Sequence, residues 1–239
     1  MIHYLLLERV SIGSWEHLIP ILIGIVISVF SISFSKRKLS LEQQQNFFKI
    51  FGWFVSLFVI AFHLYFIFFD SYDIQKDLPL YLCSFIAVLI PIFTNYRNYL
   101  IYEILVFWII AGTLQGVITP DIEEGFPTFD YFRYWIVHLG LLIIIFYATF
   151  VFGMTPKLKS VFKSFLALQV YLILMICINW LLDSNYFYLN EKPKSASLLD
   201  YFGEWPIYIL IVQLLLLPYF LVIYVPFYLS EKRMKLFRK

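Results

Sequence analysis

Residues 17–38 read HLIPILIGIVISVFSISFSKRK: an apolar run closed by three basic residues. The hydrocarbon core of a bilayer is roughly 30 Å thick, and about 20 apolar residues cross it as a helix. The basic cluster directly behind the run is the signature of a span whose C-terminal end faces the cytoplasm. Outward from this segment the pattern recurs. Spans are expected at about 17–34, 48–69, 78–95, 99–118, 134–153, 161–182 and 205–229. The third is short, and the tight junction at Asn95–Asn98 predicts a helical hairpin with the fourth.

Composition agrees. Apolar residues make up 62% of the 239 positions and charged residues 14%, against about half and a quarter in a soluble domain. No polar stretch is long enough for a second domain, so residues 1–239 read as one membrane domain. An isolated strand in lipid leaves its backbone groups unpaired, and the ten-residue alternation of a barrel is missing. The expected fold is all-α, a polytopic bundle of about seven transmembrane helices.

Charge sets the expected orientation. Lys36, Arg37, Lys38, Lys49, Arg97, Lys157, Lys159, Lys163, Lys232, Arg233, Lys235, Arg238 and Lys239 all fall after odd-numbered spans. Arg9, Lys76, Arg133, Lys192 and Lys194 fall on the other side, among most of the acidic residues. The excess of Lys and Arg marks the cytoplasmic face. The N-terminus is then outside, the C-terminus is cytoplasmic, and the plasma membrane is the expected location. Nothing before residue 17 looks like a cleavable leader, so the first span is expected to stay as a permanent helix of a chain that begins at Met1.

Local signals refine the boundaries. Asp77-Leu-Pro79 reads as an N-cap followed by an early proline, and Glu204-Trp-Pro206 repeats the pattern before the last span. Pro91, Pro218 and Pro226 lie inside spans. Tyr96, Tyr99, Tyr131, Tyr134, Trp135, Trp180, Tyr186, Tyr188, Trp205 and Tyr208 crowd the span ends, as an interfacial aromatic belt does. No internal repeat of the transporter kind is visible. The long connections Thr119–Arg133 and Asp183–Glu204 are of the size that carries function. Phosphate-binding loops, zinc spacings and nucleic-acid motifs are not found, so no cofactor, metal or nucleic acid is expected.

Polar residues inside spans are costly and need a partner or a task. His17, His63, Cys83, Thr113, Gln115, His138, Cys177 and Asn179 project to one level, roughly 3–10 Å below the outer hydrocarbon surface. The inner half holds Glu103, Gln169 and a few hydroxyls. This layering suggests a polar chamber open to the outer leaflet. A His at a span end commonly bonds a carbonyl, a lone Cys packs as a small apolar group, and Asn or Gln often joins helices. If the chamber is chemical, Cys83 is the nucleophile, with His138 or His63 as its base. Asn179, Gln115 or backbone amides near Pro79 are then the oxyanion donors. A small-solute transporter or channel with a polar outer vestibule, for which Glu103 is the inner-half residue, is the alternative, and a structural or assembly factor is a third reading. The two cysteines both lie within spans and form no extracellular disulfide framework.

The segment LPLYLCSF at 78–85 resembles the LPLHLCS motif of the transmembrane protein 164 family, whose bacterial members are called YwaF-type. The likeness continues in FWIIAGTLQ at 107–115, Thr119-Pro-Asp121, Phe126-Pro127, Phe132-Arg133 and His138. It resumes in NWLLDSNYFY at 179–188, Ser197–Asp200, Trp205–Tyr208 and Glu16-His17, and so spans about residues 15–228. Tyr81 stands where many relatives have His. The resemblance implies lipid chemistry, since the animal member is described as a phospholipid acyltransferase that uses a cysteine of this segment. The family also looks similar in fold to the androgen-induced-protein lipid hydrolases, which pair Thr with His. Carried over by position, Cys83 is the acylated nucleophile and His138 the base. His63, His17, Tyr81, Thr113, Gln115, Asp121, Arg133, Asn179 and Asn185 are supporting or substrate-binding. A membrane phospholipid or lysophospholipid is the implied partner.

Overall fold

The computed structural model describes residues 9–237; Met1, Arg238 and Lys239 of the sequence reading lie outside them. Within these residues the chain is helical and without strands. The helices are α1 (Trp15–Lys38), α2 (Leu41–Phe69), α3 (Leu82–Tyr96), α4 (Tyr99–Trp108), α5 (Leu114–Ile118), α6 (Phe129–Phe150), α7 (Leu158–Leu182) and α8 (Ile207–Phe237). A π-helical turn, Ile109–Thr113, joins α4 to α5 in one rod. Six rods are long and apolar enough to cross a bilayer, and α3 is a shorter apolar seventh. The chain is thus a multi-pass membrane protein.

Side-chain caps set several starts. Ser14, Asn98 and Thr128 accept backbone N–H bonds from His17, Ile101 and Tyr131, and Ser40 forms a capping box with Gln43. Each satisfies an amide that the first helical turn leaves unpaired.

The third span departs from expectation. Asp77 caps no helix, and α3 begins at Leu82 after Tyr81. The Asp77 carboxylate instead accepts from the Asp73 N–H at 2.7 Å, closing a turn over 73–77. Two tyrosine hydroxyls then hold the following strand of chain away from helical geometry: Tyr186 Oη accepts from the Leu78 N–H at 3.0 Å, and Tyr171 Oη donates to the Leu80 carbonyl. The 15 residues of α3 cover only about 22 Å, so non-helical chain occupies the remaining depth. The junction with α4 is as tight as expected, with Arg97 in the left-handed region (φ 47°) ending α3. The hairpin packing is not as expected: α3 lies chiefly along α2, and α4 chiefly along α7.

Small residues permit the close approaches. A Cβ on Gly52 of α2 would lie 2.2 Å from Thr94 Oγ1 of α3, and one on Gly140 of α6 would lie 2.6 Å from a Val55 methyl of α2. With no hydrophobic gain between helices in lipid, such contacts are what holds them. Helix α6 is central: 67% of its most apolar window is buried, against 17% for α1 and for α8.

One end of the bundle carries Lys36–Lys38, Arg97 and Lys157. The other, the acidic end, carries Glu16, Asp121, Glu123 and Asp130, with Arg9 paired to Asp121 and Glu123. The aromatic belt holds only in part. Tyr96, Trp180 and Trp205 are exposed, but Tyr131, Tyr134, Trp135, Tyr186 and Tyr208 are buried. Hydroxyl bonds to backbone draw the buried tyrosines inward, as when Tyr208 donates to the Tyr188 carbonyl at 2.7 Å. Glu103 is no free intramembrane carboxylate. It is buried, accepts from Ser160 at 2.5 Å and pairs with Lys163 at 2.6 Å.

Candidate active site

Cys83 is the second residue of α3, where a span beginning at 78 put it about five residues in. The N–H groups of Leu82, Cys83 and Ser84 therefore belong to the first turn, which has no intrahelical acceptors. The first bond of the helix runs from the Phe85 N–H to the Tyr81 carbonyl at 2.9 Å. Unpaired amides and the positive end of a helix dipole both favour negative charge on a sulfur or on an oxyanion beside it. The thiol lies 3.5 Å from Thr113 Oγ1.

Thr113 is fully buried at the end of the π-helical turn. The wider i→i+5 spacing of such a turn re-aims the residues after it, and π turns are frequent at functional sites. One helical turn further on is Gly116, and His138 of α6 packs against it. A Cβ on Gly116 would sit 2.7 Å from both Cδ2 and Nε2 of the imidazole. Cys83 and His138 thus meet the same turn of one rod, at positions about 4.5 Å apart along its axis. Their link runs through the Thr113–Gly116 turn; the hydrogen-bond partner of the sulfur is Thr113.

The tautomer of His138 follows from its contacts. Nδ1 is 2.8 Å from the Tyr134 carbonyl, which can only accept. Nδ1 therefore carries the proton and Nε2 presents a lone pair, the form a general base requires. The ring stacks on Tyr134 at 4.0 Å between centroids. Tyr134 is itself pinned, donating to the Gly116 carbonyl at 2.7 Å and accepting from the Asp121 N–H at 3.3 Å.

A layer of aromatic residues covers this group at the acidic end. Tyr81 packs on Tyr186 and Tyr188, with centroids 5.4 and 5.2 Å apart. Tyr188 Oη donates to Asp121 Oδ2 at 3.2 Å, and Asp121 is also held by Arg9. Burial, and next the Asp121 carboxylate, push the Tyr188 hydroxyl well above the ordinary tyrosine range, so it stays a neutral donor. Phe187 and Tyr188 both adopt positive φ, 64° and 55°, a strained setting for bulky residues that tends to mark functional loops.

Other expected members stand apart. His17 has both nitrogens satisfied: Nδ1 accepts from the Gly13 N–H, so Nε2 donates to the Val117 carbonyl at 2.8 Å. It braces α1 against α5. Asn179 receives the Tyr186 N–H and the Ser184 hydroxyl and donates to the Tyr186 carbonyl, which shapes the loop after α7. Asn185 does the same for residues 190–191. Gln115 bonds Thr119 at the end of α5. His63 lies edge-on to Phe62 and Tyr72 with both nitrogens buried and unpartnered. Arg133 donates twice to Asp130, at 2.8 and 2.5 Å, and lies over Phe62. Cys177 is exposed on the bundle surface, and both cysteines are free.

The residues that sequence reasoning missed are Gly116, Tyr134 and Tyr171. Tyr134 carried a signal, since it precedes His138 by one turn of the same helix. Gly116 carried none, because its partner is distant in sequence. Among the described residues no group of three His, Cys, Asp or Glu is placed to hold a metal ion. The family model described as the TMEM164 family matches residues 12–224. No curated protein and no solved structure matches the chain.

Proposed function

Since this chain belongs to the TMEM164 family, we propose that it is a membrane-embedded lipid acyltransferase or hydrolase acting through Cys83 and His138. The observation that carries the reading is the placement of Cys83 in the first turn of α3, 3.5 Å from Thr113, on a rod whose Gly116, three residues further on, packs against the Nε2 edge of His138.

In this mechanism His138 Nε2 takes up the Cys83 thiol proton, and the Thr113 hydroxyl hydrogen-bonds the sulfur. The thiolate attacks the carbonyl carbon of an acyl ester, and the oxyanion is received by the first-turn amides of α3. The C–O bond of the ester breaks. His138 returns its proton to the departing alcohol, leaving a thioester on Cys83. A lysolipid hydroxyl or water then attacks the thioester as His138 takes its proton, and the thiol is restored. The acceptor decides between transfer and hydrolysis. Charge sorting supports the basic end as cytoplasmic, so the site would open towards the outer leaflet of the plasma membrane.

The test uses purified protein, labelled phospholipid and a thiol-reactive lipid probe. Cys83→Ser is expected to abolish probe labelling and turnover, and His138→Ala to slow turnover at least a hundredfold. Turnover and labelling that survive both substitutions overturn the mechanism. The alternative, a small-solute transporter or channel with a polar outer vestibule, has Glu103 as its inner-half residue, and that carboxylate is paired with Lys163.

A further inference from the structure

Between α1, α2 and α6 lies a groove that the catalytic reading does not use. It encloses about 540 Å³. It runs along α1 from Trp15 to Ile27 and along α6 from Tyr131 to Ile143, with Phe51 and Phe54 of α2 closing its deep end. Both helical stretches span 12 residue steps, about 18 Å of depth each. His138 is turned away from it: the imidazole faces Gly116 of α5, while the groove residues face α1 and α2.

Its dimensions select the occupant. Its apolar walls run continuously for about 18 Å, a length that suits one extended acyl chain lying along the helices. A single extended hydrocarbon chain in wall contact at about 4 Å fits. The walls are aliphatic and aromatic, and they include outward-facing residues such as Ile23 and Ile27. Gly24 brings α1 so close to α6 that a Cβ there would lie 3.0 Å from Leu139. That contact closes the back of the groove and leaves its front to the bilayer.

The mouth selects the kind of lipid. Glu16 lines the groove at the acidic end, where its carboxylate accepts the Phe126 N–H at 3.1 Å. A fatty-acid carboxylate at that level would meet like charge, whereas a headgroup bearing an ammonium meets a counter-charge.

We propose that this groove is a second lipid site, separate from Cys83, that holds one acyl chain of a zwitterionic membrane lipid. Lipid tails are as apolar as the groove, so transfer between them yields no hydrophobic gain. Packing decides occupancy, and a straight chain is favoured over one bent by cis double bonds.

The experiment uses the full chain in phosphatidylethanolamine vesicles carrying a trace of the same lipid with a diazirine on its acyl chain. Photolabel is expected on the 15–27 and 131–143 stretches, saturating with probe and competed by unlabelled saturated lipid. Ile23→Trp and Ile27→Trp fill the groove and should cut that label at least fivefold without lowering the melting temperature. Val26→Trp, also exposed on α1 but outside the groove, should leave it unchanged. Equal labelling of all lipid-facing helices, or labelling indifferent to both blocking variants, overturns the site. So does a crosslink between two copies through these stretches. A photoreactive free fatty acid that labels the groove as strongly overturns the choice of lipid. Loss of Cys83 chemistry leaves every one of these outcomes readable.

Discussion

The imidazole of His138 fills the space that a side chain on Gly116 would take, with 2.7 Å between Nε2 and the position of that missing Cβ. Because Nδ1 is committed to the Tyr134 carbonyl, the ring has one edge held and one edge against a bare backbone. Gly116→Ala should therefore displace the ring rather than be absorbed. Overpacking of this kind costs about 1–3 kcal/mol, and a misplaced base should lower turnover at least tenfold. The informative readout is the pH profile of Cys83 alkylation: it should shift in Gly116→Ala, and stay unchanged if Gly116 serves packing alone.

Thr113 is the hydrogen-bond partner of the sulfur, so its hydroxyl is the group most open to test. Thr113→Val keeps the shape and removes the hydrogen bond to the sulfur; turnover should fall about 10- to 100-fold, the worth of one hydrogen bond to a charged group. Thr113→Ser should restore most of it. Equal activity of the Val and Ser variants would remove Thr113 from the mechanism.

The helical rods were legible because hydrophobic run length and Lys/Arg sorting are local signals. An expected depth for each polar residue was legible too, since counting residues along a helix gives one. Which members of the layer touch was not. His17, Asn179 and Cys83 were expected at one depth, yet His17 braces α5, Asn179 shapes a loop and Cys83 meets Thr113. Helix rotation and neighbour order decide that, and neither is written in residue spacing. The start of α3 was misread for a related reason: hydroxyls of Tyr171 and Tyr186, about a hundred residues away, hold Leu78–Leu80 out of the helix.

The Tyr188–Asp121 bond ties the loop after α7 to the loop before α6. Tyr188→Phe removes one hydrogen bond to a charged group, worth about 1.5–3 kcal/mol, and should speed amide hydrogen exchange across residues 184–202 while the spans keep their protection. Burial and Asp121 raise the folded-state pKa of Tyr188 above its ordinary 10.0. The stabilising contribution of the neutral hydroxyl is thus fully present below about pH 10 and is lost as pH rises further. Wild-type protein should loosen over this loop at alkaline pH, and Tyr188→Phe should show a weaker pH dependence there.

Glu103 offers the clearest division between a catalytic and a transporting molecule. Its carboxylate is buried, receives the Ser160 hydroxyl and faces Lys163, whose side chain is 48% exposed. Removing the charge with Glu103→Gln leaves Lys163 free to turn to water or headgroups, so the loss is smaller than for a fully buried pair, about 1–2 kcal/mol. A fall of several degrees in melting temperature is expected, with acyl turnover at Cys83 reduced no more than twofold. Proteoliposomes of wild type and Glu103→Gln should be equally tight to small solutes and protons. A wild-type flux that Glu103→Gln abolishes at unchanged melting temperature would give this carboxylate a transport role and displace its reading as a structural ion pair.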